Sequence, residues 1–191
     1  MEKNLIDEKR LLERIKSGDE AAFKEFFDVH HKEVFSLSFR LLRNLQEAED
    51  ITQEVFFKAY LTMNKFRGES KVSTWLYRIA VNLSMNNQRR EKQKYFLSLD
   101  FLFEKGDRQA GDPGKGPMKR LTQEEEKLLV DKAVDSLPIN QRVAVILNHY
   151  EGFSYREISG IMGLSVSSVR SLLYRAKQRL QKKLASSLKN I

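Results

Sequence analysis

Residues 154–184 read SYREISGIMGLSVSSVRSLLYRAKQRLQKKL, two helix-forming runs broken at Gly163-Leu164-Ser165. In the second run Val169, Leu172, Leu173, Ala176, Leu180 and Leu184 recur at the spacing of one helical face. The opposite face carries Ser167, Ser168, Arg170, Ser171, Tyr174, Arg175 and Gln178, small polar and cationic groups that suit a major groove. From Ser165 to the chain end there are seven Lys or Arg and no acid. A solvated helix ordinarily mixes both signs, so this sorting points to a polyanion. The pattern predicts a helix-turn-helix whose second helix reads DNA.

The rest of the chain bounds that reading. Its net charge is +8, and residues 121–191 hold 11 basic and 7 acidic groups, every acid lying before Ser165. Residues 1–95 hold 18 and 15, so the excess there is milder for a longer segment. A hydrophobic content of 41% supports real cores, yet no apolar run approaches the roughly 20 residues of a membrane span. The opening MEKNLIDEKR lacks the apolar stretch of a signal peptide. Cysteine is absent, which excludes disulfide and thiolate chemistry. His30, His31 and His149 do not by themselves make a zinc site. The expectation is a cytoplasmic protein without metal, cofactor or direct membrane insertion.

Glu104 to Arg120, EKGDRQAGDPGKGPMKR, holds four of the nine glycines and two of the three prolines. Such composition predicts a flexible linker, taken as residues 96–120. The flanking segments, 1–95 and 121–191, are strongly helical in pattern, with no sustained strand alternation. The expected fold is therefore all-α: two small helical domains joined by a flexible Gly/Pro-containing linker, the second with a helix-turn-helix. Gly18-Asp19 separates a short first helix from one over about Glu20 to Leu42, and Asn44 caps the next, Gln46 to Asn64. Ser73 is expected to cap a helix running to about Lys94. Thr122 with Glu125, and Ser154 with Glu157, form capping-box patterns. Pro138 opens a helix ending near Gly152, and Ser165 caps the recognition helix.

Residues 47–60 read EAEDITQEVFFKAY. At 100° per residue, Ala48, Ile51, Val55, Phe56, Ala59 and Met63 fall on one side of the helix. Glu47, Asp50, Gln53, Glu54 and Phe57 fall on the other. Carboxylates alone would read as a solvated face, and a metal site is a further reading that no histidine supports. Phe57 favours a partner surface, an apolar anchor ringed by charges that set register.

Residues 64–90, NKFRGESKVSTWLYRIAVNLSMNNQRR, join a polar loop to a helix. Val72, Leu76, Ile79, Ala80 and Leu83 make its buried stripe, while Thr74, Arg78, Val81, Asn82, Met85 and Arg89 face the other way with Trp75 at the border. Cations beside amides and apolar groups suit an unpaired nucleic-acid strand. The loop Lys65–Lys71 has the composition to hold an extruded base. The other reading of Phe66 and Trp75 is that both are core.

EAEDITQEVFFKAY, then FRGESKVSTWLYRIAVNLSMNNQRR, then LPINQRVAVILNHYEGFSYREISGIMGLSVSSVRSLLYRAKQRL cover most of the chain. In this order, with a Gly/Pro linker between the second and third, they resemble the extracytoplasmic-function (ECF) group of the sigma-70 family of bacterial transcription initiation factors. The resemblance implies domains at 1–95 and 121–191 of the region 2 and region 4 types. It implies that Glu47, Asp50, Gln53, Glu54 and Phe57 dock on the clamp helices of the polymerase β′ subunit. Lys65, Phe66, Arg67, Ser70 and Lys71 would capture a flipped −10 base, and Thr74, Trp75, Arg78, Asn82, Arg89 and Arg90 would line the melting duplex. Ser165, Ser167, Ser168, Arg170 and Ser171 would read the −35 element, with Tyr174, Arg175 and Lys177 on phosphates. Core RNA polymerase (β′ clamp helices and β flap), promoter DNA and an anti-sigma factor are the implied partners; the last would hold the protein at the membrane where it is itself anchored. Two departures stand out. Leu172 replaces a frequent Arg, removing or moving one DNA contact, and Glu47 replaces a frequent Asp.

Two other functions stay in view. A helix-turn-helix regulator explains 121–191 but leaves the acidic helix and the Trp75 segment without a role. A nuclease using Glu47, Asp50 and Glu54 would need those carboxylates to converge on a metal at about 2 Å, which one helix face rarely achieves. The expectation is a non-enzyme.

Overall fold

The computed structural model describes residues 2–68, 70–102 and 122–189, and every regular element among them is helical. They are α1 (Glu2–Lys16), α2 (Glu20–Leu42), α3 (Leu45–Thr62), a 3₁₀ turn (Met63–Lys65), α4 (Val72–Leu102), α5 (Gln123–Asp135), α6 (Ile139–Val145), a π-helical turn (Ile146–Tyr150), α7 (Tyr155–Met162) and α8 (Val166–Lys189). The chain divides into two compact units, one of Met1–Gln88 with Gly160–Gly163 and one of Arg89–Ser159 with Leu164–Ile191. α4 continues to Leu102, past residue 95 where composition places the end of the first domain. Residues 96–102 contain no glycine or proline, and the first breaker is Gly106. The remainder of the expected linker, from residue 103 to 120, lies outside the described residues.

In the first unit α2 and α3 form a helical hairpin. Arg43 adopts a left-handed conformation, φ +57, and its N–H donates to Phe39 O at 2.8 Å, ending α2. Asn44 Oδ1 then accepts the Glu47 N–H at 3.2 Å and starts α3. At the other end Asp19 Oδ1 accepts the Ala22 N–H at 3.0 Å while Arg14 Nε donates to Asp19 Oδ2 at 2.9 Å. Phe26, Val34, Leu37 and Leu41 of α2 are buried, as are Ala48, Ile51, Val55, Phe56 and Ala59 of α3. The Phe56 ring lies 4.7 Å from Phe27 and 6.1 Å from Phe26. Each such large side chain, fully buried, contributes on the order of 2 kcal/mol by area.

α4 is buried over a wider arc than its apolar stripe indicated. Val72, Leu76, Ala80 and Leu83 are buried as expected, but so are Thr74, Tyr77, Val81 and Ser84. Thr74 and Val81 therefore do not belong to an exposed face. Ser73 is not the cap either: α4 starts at Val72, and Lys71 O accepts the Trp75 N–H at 3.1 Å. Two consecutive amides fasten α4 to the hairpin turn. Gln88 Nε2 donates to Leu41 O at 2.8 Å, occupying a carbonyl in the last turn of α2, and Asn87 Nδ2 donates to Glu47 Oε2 at 2.6 Å.

His30 gives this unit a pH dependence. Burial holds its imidazole below the ordinary 6.5, with Glu33 and Glu8 acting in the opposite sense. Glu33 Oε2 is 4.0 Å from Nδ1, and the Phe26 ring is 4.9 Å away. The unfolded chain thus binds the proton more readily than the folded one. Stability from keeping the ring neutral is complete above about pH 6.5 and declines as pH falls below it. His30→Phe is expected to flatten that limb, read as urea midpoints at about pH 7.5 and pH 5.5. A limb equally steep in the variant would assign the dependence to another group.

In the second unit the Thr122–Glu125 capping box forms in both directions. Pro138 precedes α6, its carbonyl accepting the Gln141 and Arg142 N–H groups at 2.9 and 3.0 Å. The helix expected to reach Gly152 widens into the π turn and stops at that glycine, whose φ of +73 favours a residue without Cβ. Ser154 and Glu157 complete the second capping box, with Ser154 N donating to Glu157 Oε2 at 2.9 Å. Gly163, φ +64, makes the turn, and Ser165 Oγ accepts the Ser168 N–H at 3.1 Å to open α8. Val169, Leu172 and Ala176 of α8 are buried, in a unit whose core also includes Val134, Val143, Ile146 and Leu147. Leu172, at 9% exposure, is a core residue of this helix.

Candidate nucleic-acid and protein interfaces

On α3 the structure separates two groups of residues that the helical wheel placed together. Asp50, Gln53, Glu54 and Phe57 are exposed, Phe57 at 63%. Glu54 Oε1 pairs with Lys58 Nζ at 3.0 Å, and Asp50 Oδ1 accepts from Gln46 Nε2 at 3.3 Å. Glu47 is half-buried and its two oxygens are already engaged, Oε1 by Asn44 Nδ2 at 3.1 Å and Oε2 by Asn87 at 2.6 Å. It anchors the start of α3 to the chain's own α4. Tyr60 and Leu61, both more than half exposed, extend the Phe57 surface by one turn. Sequence reading missed them, although Leu61 stands four residues after Phe57, the spacing of a shared face. The result is an apolar strip bordered by Asp50, Gln53 and Glu54, suited to docking against a partner with apolar and cationic groups.

Around the loop after α3, Lys65, Arg67, Ser70 and Lys71 are exposed, while Glu69 lies outside the described residues. Phe66 is not exposed. It is 7% accessible, and its ring centroid lies 5.0 Å from that of the half-buried Trp75. Phe66 is packed inward and offers no free stacking surface. Thr74, at 8%, is likewise unavailable to a strand. The exposed line on α4 runs through Arg78 and Asn82, with Arg89 and Arg90 exposed further along the helix. Asn86, four residues beyond Asn82, is exposed too and was not singled out from the sequence. This line offers cations for phosphates and amides for base edges.

Ser165, just before α8, and Ser167, Ser168, Arg170, Ser171, Tyr174, Arg175 and Lys177 on it are all exposed. Ser165 Oγ lies 2.9 Å from Ser167 Oγ and 2.8 Å from Ser168 Oγ, so the serines preorganise one another at the helix start. Ser171 Oγ donates to Ser167 O at 3.0 Å and keeps its acceptor lone pairs. Beside α8 runs an apolar groove of about 530 Å³, lined among others by Val130, Val134, Leu173, Leu180 and Leu184. Its α8 wall comes from the apolar face of that helix, whereas its closure by α5 was not legible from the sequence. Among the described residues, no three His, Asp or Glu side chains are grouped to hold a metal ion, and no helix is long and apolar enough to cross a membrane.

Comparison with known proteins gives a consistent picture. Residues 26–94 match the family model of Sigma-70 region 2, and residues 127–180 that of Sigma-70, region 4. The chain is 33% identical over 186 residues to the RNA polymerase sigma-H factor of Pseudomonas aeruginosa, covering 95% of this chain and 96% of that one. It is 31% identical over 179 residues to the ECF RNA polymerase sigma factor SigW of Bacillus subtilis, covering 92% and 96%. With the ECF RNA polymerase sigma-E factor of Escherichia coli K12 the identity is 34% over 176 residues, covering 91% and 92%. Two solved structures share the fold. CnrH in complex with the cytosolic domain of CnrY matches at TM-score 0.65 and 20% identity, over 92% of this chain and 96% of that one. RpoE in complex with the anti-sigma factor NepR, from Bartonella quintana, matches at 0.62 and 24%, over 85% and 96%.

Proposed function

Because the chain belongs to the ECF group of the sigma-70 family of transcription initiation factors, we propose that it binds core RNA polymerase, directs it to promoters bearing −10 and −35 elements, and assists their melting. The observation that carries the division of labour is the pairing of two unlike exposed faces in successive helices, apolar and acidic on α3, cationic and amide-bearing on α4. Asp50, Gln53, Glu54 and Phe57 meet the β′ clamp helices, joined by Leu61. Lys65, Arg67, Ser70, Lys71, Trp75, Arg78, Asn82, Arg89 and Arg90 hold the −10 strand. Ser165, Ser167, Ser168, Arg170 and Ser171 read the −35 duplex, while Tyr174, Arg175 and Lys177 hold its backbone. The groove beside α8 takes the β flap.

Domains of the region 2 and region 4 types, joined by the linker to residue 120, would span the two elements. The protein acts by binding and positioning, not as a catalyst, and needs no metal or cofactor. Its place is the cytoplasm. RpoE and CnrH are each captured with a partner in solved structures, NepR being named an anti-sigma factor. By that likeness an anti-sigma factor restrains this chain as well, and one anchored in the membrane would hold it there.

The test is reconstitution with core polymerase and transcription of a fragmented genomic library. Run-off products should arise from a subset of fragments sharing paired upstream elements. Failure to co-purify with core, together with no transcription above core alone, would leave only a DNA-binding regulator. Within α8, Arg170→Ala is expected to lower affinity for duplex −35 DNA roughly tenfold and leave unpaired −10 strand binding unchanged. Loss of discrimination at one base pair marks a base-edge contact. A uniform loss over all sequences, with a shallower salt dependence, assigns Arg170 to a phosphate.

A further inference from the structure

At the end of α1 the Lys16 ammonium donates to the main-chain carbonyl of Phe66, 2.9 Å away across 50 residues of sequence. Holding a lysine in one rotamer costs conformational entropy, and a charge-assisted bond offsets that cost. The acceptor is informative. Phe66 immediately precedes the exposed tip of the loop, and it is fixed from two other directions. Its ring is buried against Trp75, and its N–H donates to Met63 O at 3.0 Å. On the far side of the tip, Val72 is buried at the start of α4. Between these posts the backbone passes through Gly68, φ +74, and Arg67, Ser70 and Lys71 are exposed.

A peptide unit is planar, so gripping the Phe66 carbonyl also sets the direction in which the chain leaves toward Arg67. A site selects among ligands only when its groups are held in place. A loop that samples several shapes still attracts a strand by charge and stacking, but it does not choose among bases. We propose that Lys16 is a positioning residue for base selection: through the Phe66 carbonyl it holds the loop in the conformation that accepts one unpaired base in preference to the others. The proposal rests on the reading of this loop as the place where a −10 base is held. Lys16 itself does not touch that base.

The test uses the full chain bound to core polymerase and single-stranded −10 oligonucleotides varied at one position at a time. The unsubstituted protein should discriminate between best and worst base by about tenfold at one position, the scale of one charge-assisted contact. Lys16→Met keeps the apolar stem and removes the donors. It should bring that ratio to within about twofold by weakening the best base, leaving the worst nearly unchanged. Lys16→Arg, which retains a charged donor, should preserve most of the ratio. If Lys16→Met lowers the thermal midpoint, Lys16→Leu, which likewise has no donor, is compared in the same way, with the same loss of the ratio expected. A ratio that survives loss of the ammonium overturns the proposal, and so does an equal loss on all four bases, which marks a phosphate contact or general packing. No discrimination by the unsubstituted protein at any position overturns the reading of the loop, and the Lys16 proposal with it.

Discussion

Phe57→Ala is expected to weaken association with core RNA polymerase by about 2 kcal/mol, some thirtyfold, while the thermal midpoint barely moves. Phe57 leaves most of its ring in solvent, so truncation removes little internal packing. Its chain neighbour Phe56 is buried among Phe26, Phe27 and His31. Phe56→Ala should instead cost about 3–5 kcal/mol of stability. The two variants therefore separate an interface from a core at adjacent positions of one helix. Affinity is read by titrating labelled protein with core, and stability by circular dichroism on the same samples. A lowered midpoint with unchanged affinity per folded molecule would place Phe57 in the core. If neither quantity moves, the apolar contact belongs to Tyr60 and Leu61.

The double variant Arg78→Ala, Asn82→Ala should bind core and closed promoter normally yet open the promoter about a hundredfold less well. These side chains stand one turn apart on the exposed line of α4, one a cation and one an amide. Each contact with an unpaired base or its phosphate is worth about 1–3 kcal/mol. Two lost together amount to about 3 kcal/mol, a hundredfold or more. Permanganate reactivity of −10 thymines should fall accordingly, and a pre-melted template should partly restore transcription. Unchanged reactivity would move strand capture to Arg67 and Lys71. Phe66 is a poor choice for this experiment. Its burial means that Phe66→Ala disturbs the loop's support and confuses folding with opening.

Glu47 shows why some site residues resist reading from sequence. By helical period it belongs with Asp50, Gln53, Glu54 and Phe57, and Asn44, three residues before it, engages only one of its oxygens. Its fate depends on Asn87, 40 residues away, which claims the second oxygen. The two methylenes of the Glu47 side chain carry its carboxylate to that amide. Asn87 and Gln88 drew no attention as amides in a polar run, yet they fasten α4 to the hairpin turn.

Local chemistry is legible because it acts over three or four residues. The caps at Asn44, Thr122, Ser154 and Ser165, the turns at Gly152 and Gly163, and the apolar lines of α3 and α8 all follow from side chains close in sequence. That is enough to specify an all-helical chain with an acid-free recognition helix. Only the tertiary structure decided how much of α4 is covered, and hence that Thr74, Val81 and Phe66 face inward while Arg78, Asn82 and Asn86 face out. A helix has one periodicity but can be packed on one side or on two, and burial is set by neighbours that arrive from 40 or 50 residues away.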